Sequence, residues 1–204
     1  MAGFSINDFL SQISDNGILR TNKFRCRFPV PNGLLNFQDA DFIPTETSRF
    51  LEYWCESAQI PSLIYATHPN LRYGYGTAEN KPFLSQVQNL NFTFLSDASA
   101  SIWRFFYEWM NVIINIRLNN GIQDSTVNQQ PYEVGYKFDY VSDVNIQVFN
   151  DIGDLVYNVL LFEAYPVFLG EVSLNWADKN NFVRFPISFT FNTWGVTKVQ
   201  EGID

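Results

Sequence analysis

The side chains able to do chemistry are few and scattered. The one histidine, His68, adjoins Pro69 in a strand-like stretch. General-base work would require a nucleophile beside it that the sequence does not advertise, so it reads as a surface or packing residue. Cys26 and Cys55 lie in no C-x-x-C pair, and one histidine with two separated thiols is a poor zinc set. Each cysteine falls on an alternating stretch and reads as a small buried thiol. Gly74-Tyr75-Gly76 is not a phosphate loop, because Glu79 stands where a dinucleotide fingerprint needs its third glycine. Asp178-Lys179-Asn180-Asn181 lacks the acidic spacing, central glycine and closing glutamate of a calcium loop. Asp39/Asp41 and Asp151/Asp154 could serve as the two carboxyls of a glycosidase, but both pairs fall in turn-like stretches where aspartate is a turn former. No catalytic residue, metal or cofactor follows from these residue types.

Composition narrows the classes further. In 204 residues, charged side chains make up 17%, apolar ones 46%, and there are 20 Phe, 10 Tyr and 5 Trp. A chain this apolar and aromatic has the material for one sizeable core rather than for disorder. No apolar run approaches the ~18 residues of a membrane span, and the start has no basic region leading into an apolar one, so neither a membrane anchor nor a signal peptide is expected. The formal charge is −8, the opposite of what a duplex-binding protein carries. From Lys137 to Lys179 there is no intervening basic residue, whereas Asp139, Asp143, Asp151, Asp154, Glu163, Glu171 and Asp178 all fall inside. Such a run is either the solvated face of a sheet or a surface that repels polyanions.

The elements follow from periodicity. Ser5 as cap, Asp8 in the first turn and Ile6, Phe9, Leu10 and Ile13 on one face give a short N-terminal helix closed by Gly17. Phe24, Cys26, Phe28 and Val30 alternate with Lys23, Arg25 and Arg27 in a half-buried strand. Residues 31–49 lack a period and read as a long surface loop. Leu51, Tyr53 and Cys55 alternate as a strand that stops near Pro61, and an extended stretch runs from Leu63 towards Tyr75. Leu90, Phe92 and Phe94 form a strand, after which Ser96 and Asp97 cap a helix over about 97–116. Its residues Ile102, Phe105, Phe106, Trp109, Val112 and Ile113 make an apolar stripe at i, i+3, i+4, i+7, i+10 and i+11. After an exposed loop the chain turns wholly to strand. Val144, Ile146 and Val148 lead through Asn150–Asp154 to a return over Leu155–Phe162, a hairpin with an acidic tip. A last pair covers Glu171–Trp176 and Phe182–Phe191. These elements make a mainly β fold, an antiparallel β-sandwich or barrel whose open side is covered by one flanking α-helix.

The C-terminal third carries a recognisable order of residues: Tyr165-Pro166, then Gly170 through Trp176, Asn180-Asn181, and the alternation Phe185 to Phe191 closing at Trp194. Upstream, Asn22-Lys23-Phe24, Cys55 six residues before Pro61, the Leu90–Leu95 strand and Phe106-Tyr107-Glu108-Trp109 fit the same order. Over roughly residues 22–194 the chain resembles the tail tube protein of T-even-like contractile-tailed bacteriophages, a fold related to the tube protein of type VI secretion.

The resemblance implies a structural virion protein and not an enzyme. It implies homo-hexameric rings stacked into a hollow tube, a sheath protein around it, a baseplate initiator and a terminator at its ends, and double-stranded DNA passing through unbound. The protein would be assembled in the host bacterial cytoplasm and reside in the virion tail. On this reading residues 1–20 are an N-terminal arm, 21–195 the barrel domain with insertions at 31–49 and 117–135, and 196–204 a tail. The candidate lumen lining is Asp143, Asn145, Gln147, Asp151 and Asp154. Candidate contacts between subunits or rings are Phe9, Leu10, Leu71, Tyr73, Tyr75 and Trp194. A baseplate tube initiator of the same fold is the nearest alternative, since both insertions exceed the family minimum. A carbohydrate-binding sandwich, with exposed Trp and Tyr stacking on sugars, and a carboxylate hydrolase are the readings from other classes.

Overall fold

A computed structural model describes residues 6–35, 47–71, 74, 76–115, 132–177 and 181–198. In chain order the elements are α1 (Ile6–Asn16), β1 (Phe24–Arg27), α2 (Asn32–Leu35), α3 (Thr47–Trp54), β2 (Cys55–Ala58), β3 (Ile64–Asn70), β4 (Glu79–Gln86), β5 (Leu90–Leu95), α4 (Ser101–Ile113), α5 (Lys137–Tyr140), β6 (Ser142–Phe149), β7 (Leu155–Leu169), β8 (Arg184–Thr190) and β9 (Thr193–Lys198).

One antiparallel sheet, ordered β1-β6-β7-β8-β5-β2 with β9 also on β7, folds over on itself through β7. The first half of β7 pairs with β6 and β9, the second half with β8. Alternation along β7 shows how one strand serves both halves. Val159 and Leu161 are buried, then Ala164 and Pro166, so the inward phase slips by one residue across Phe162-Glu163. Glu163 takes φ +52° there, the left-handed conformation that an inserted residue adopts at a bulge. The bulge bends the strand and lets both halves turn their apolar sides inward.

Between the halves lies an aromatic core. Phe28 meets Phe92, Phe94 and Phe189 with ring centroids 5.2, 5.4 and 5.6 Å apart. From α4, Phe106 packs on Phe94 at 4.9 Å and Trp109 on Phe189 at 5.5 Å, so the helix closes the open side as its stripe requires. Trp109 is fully buried, and its indole N–H donates to the Tyr140 carbonyl at 2.7 Å, which removes the cost of covering that donor. Gly170 ends β7 against β8. A Cβ there would lie 2.4 Å from the Pro186 ring, so only glycine permits the bond from Gly170 N–H to the Pro186 carbonyl at 2.7 Å.

Several expectations need correction. The stretch 51–54 is the end of helix α3, not a strand. Four alternating residues fit either period, and the i, i+4 packing of Phe50 on Trp54 at 5.8 Å goes with the helix. The surface loop at 31–49 contains α2, whose Leu34 is fully buried, while residues 36–46 lie outside the described residues. Helix α4 begins at Ser101, later than 97, and ends at Ile113. Asp97 precedes it and accepts bonds from the Ser101 hydroxyl at 2.6 Å and the Ile102 N–H at 3.3 Å. Glu171–Trp176 forms no strand; β8 pairs with the end of β7 and with β5 instead. α5 interrupts what reads as all strand, and β4 and β9 are additional strands. β9 carries the body past residue 195 to Lys198. Ser5 and the loop 123–130 lie outside the described residues.

Candidate functional site

The half-sheet β1-β6-β7-β9 has a covered face and an outward one. Val144, Ile146 and Val148 of β6 point into the core, leaving Asp143, Asn145 and Gln147 outward. Register sets Arg27 beside Asn145, Arg25 beside Gln147, and Asn158 across from Gln147 on the other side. Three of the five candidate lining residues therefore share one surface, which also holds two arginines and the amide of Asn158. Both guanidiniums are engaged. Glu52 of α3, its carboxylate largely buried, lies 2.8 Å from Arg27 Nε and 3.6 Å from Arg25 Nε. The amide oxygens of Asn145 and Asn158 are buried and meet no donor among the described residues, leaving acceptors for water or a neighbouring chain.

Asp151 and Asp154 sit elsewhere, at the tip between β6 and β7. Asn150 Oδ1 accepts the N–H groups of Ile152, Gly153 and Asp154 at 2.8–3.0 Å, and Asp154 in turn accepts from the Asn150 amide at 3.1 Å. Asp151 pairs with Arg20 at 3.1 Å. Asp154 is thus tied into the turn, and Asp151 is paired with a cation. At the opposite end of β6, Asp143 Oδ1 accepts the Glu163 N–H at 3.0 Å, satisfying the amide that the bulge removes from the ladder. Glu163 pairs with Lys137. That hydrogen bond holds the Glu163 carboxyl below its usual range and raises the Lys137 ammonium above its own.

A second surface is the β3–β4 hairpin. Its strands pair from Ile64↔Gln86 to Asn70↔Glu79, yet every residue of β4 is exposed, and among the described residues neither strand packs extensively on another element. Leu63, Tyr65, Leu71, Phe83 and Leu84 are all exposed on or beside it. His68 is exposed here too, opposite Lys81.

Of the candidate contact residues, Leu10 and Leu71 are exposed. Trp194 is half-buried against the chain's own core and paired with Leu161, which ties it to the fold. Tyr73, Tyr75 and the side chain of Phe9 lie outside the described residues. Sequence reasoning missed the segment between β7 and β8, where Leu174, Trp176 and Phe182 are each at least 75% exposed. Its alternation looks like a strand, and only the observed pairing of β7 with β8 leaves it outside the sheet. The sheet itself has open sides: among the described residues β1 pairs only with β6, and β9 only with β7.

Comparison with known proteins gives a coherent result. The model of the phage tail tube protein family matches residues 19–197. No curated protein sequence matches the chain. A chain of the anti-feeding prophage baseplate, solved by cryo-EM with six-fold symmetry, superposes with a TM-score of 0.58 at 11% identity, over 90% of this chain and 97% of that one. A chain of the anti-feeding prophage tube-terminating cap gives 0.54 at 16% identity, over 89% and 92%. A chain of the PVC extracellular contractile injection system, in its extended sheath–tube complex, gives 0.52 at 17% identity, over 97% and 100%. At these identities the likeness is one of fold.

Proposed function

The chain belongs to the phage tail tube protein family, and from that premise we propose that it is the repeating subunit of a contractile phage tail tube, six copies to a ring and ring upon ring. The observation that carries this reading is the four-stranded half-sheet, whose strands at each side are open among the described residues. Its strands run antiparallel throughout and are even in number, so β9 of one copy meets β1 of the next in antiparallel sense. Closure around a ring removes the edges that an isolated subunit leaves unpaired. With about 24 strands at ~4.8 Å spacing and ~45° tilt, the backbone diameter is about 50 Å, wide enough for duplex DNA.

The outward face of that half-sheet lines the lumen on this reading. Free arginines there would hold phosphates and retard transit. Glu52 occupies both guanidiniums, Asp143 adds one exposed carboxylate, and the Asn145, Gln147 and Asn158 amides carry no charge. Low net charge, more than a dense acidic wall, lets DNA slide. The exposed β3–β4 hairpin, α1 and the Leu174–Trp176 segment serve as contacts between subunits and rings. A sheath protein, an initiator at the baseplate and a terminator complete the tail, which is assembled in the host bacterial cytoplasm.

Electron microscopy of the purified full chain tests this directly. Six-fold rings that stack into hollow tubes are the expected outcome. Six-fold rings that refuse to stack point to the baseplate initiator, and compact monomers at every concentration overturn the proposal.

A further inference from the structure

We propose that Cys26 and Cys55 form a dithiol site that closes to an intramolecular disulfide when the chain meets a low-molecular-weight disulfide, covalently joining the two ends of the folded sheet. Cys26 lies on the buried side of β1 and Cys55 opens β2. These are the terminal strands of the path β1-β6-β7-β8-β5-β2, and folding brings them back into contact with each other. Both cysteines are free and buried in one core cluster. An independent contact holds the same seam. Glu52, one helical turn before Cys55, is paired with Arg25 and Arg27, the two neighbours of Cys26 in the chain.

The chemistry is thiol–disulfide exchange. Cys55 is 9% exposed whereas Cys26 is wholly covered, so Cys55 is the entry thiol. Its thiolate attacks one sulfur of the small disulfide and releases a small thiol that carries off the Cys55 proton. The Cys26 thiolate then attacks the Cys55 sulfur, forming the Cys26–Cys55 bond and releasing the second small thiol with the Cys26 proton. The protein loses two hydrogens and the small disulfide is reduced to two thiols. The nearness of the Cys55 thiol and then burial raise the Cys26 thiol well above its ordinary range. The thiolate is therefore scarce at neutral pH, and closure is slow there and faster as pH rises.

This inference does not depend on tube formation and is tested on the purified full chain. The protein is incubated with oxidised glutathione at mildly alkaline pH, quenched in acid, denatured, alkylated and weighed. Expected are a mass lower by two hydrogens, no alkylated thiol, a linked peptide containing Cys26 and Cys55, and a Tm higher by about 5–10 °C that dithiothreitol reverses. The variant Cys26→Ala is expected to trap Cys55 as a stable mixed disulfide with glutathione. Two alkylatable thiols after prolonged oxidation, a persistent glutathione adduct on the unsubstituted chain, or disulfide-linked dimers would each overturn the proposal. The mass of the unsubstituted chain decides the matter even where a variant fails to fold.

Discussion

Two hairpins of this chain are built alike and situated oppositely. Both β3–β4 and β6–β7 are antiparallel pairs of at least seven residues in β3, β4, β6 and β7 alike. β6–β7 places Val144, Ile146, Val148, Val159 and Leu161 in the core and carries neighbours on its outer strands. β3–β4 buries none of its side chains fully. Backbone pairing alone confers marginal stability on two strands in water, so β6–β7 is held by the core while β3–β4 has no such support among the described residues. Under the proposed function, that difference separates folding from assembly.

The largest expected effect comes from the packed hairpin. Leu161→Ala should destabilise the monomer by about 2–5 kcal/mol, because Leu161 is wholly buried where the core has little room to collapse. Denaturant unfolding measures it, and a loss below about 1 kcal/mol would erase the contrast between the two hairpins.

A smaller effect is expected at β1, the strand beside that hairpin. Glu52→Gln removes the carboxylate from Arg25 and Arg27 at a cost of about 1–2 kcal/mol. Assembled tubes of this variant should retain DNA more strongly, and more steeply with falling salt, than tubes of the unsubstituted chain. Equal retention across a salt series would remove that face from the lumen.

The smallest effect on folding belongs to the β3–β4 hairpin. Leu84→Ser, at a half-exposed position of β4, should shift monomer stability by no more than about 0.5 kcal/mol while shortening or abolishing tubes in electron micrographs. Normal tubes from this variant would show that Leu84 makes no assembly contact.

The candidate lining was legible only in part. Asp143, Asn145 and Gln147 alternate with Val144, Ile146 and Val148, so their common face follows from the two-residue period of a strand. Asp151 and Asp154 join them only on charge, which says nothing about where a tip turns. Arg25 and Arg27 were visible as the polar side of β1, but nothing local reveals that β1 lies beside β6, more than a hundred residues later. Glu52 reads as part of a strand, since a few alternating residues fit either period, and no local spacing reveals it as the partner of both arginines.

The sequence by itself determined the antiparallel β class, the β6–β7 hairpin and the apolar stripe of α4, because each depends on spacing within a dozen residues, where side-chain direction is set by the backbone period. Tertiary structure decided the rest. It chose which strand lies beside which, bent β7 at Glu163 so that one strand serves both halves, and brought Cys26 to Cys55. These depend on pairings between distant segments, whose energies are resolved only when the whole core closes and every apolar face competes for the same interior.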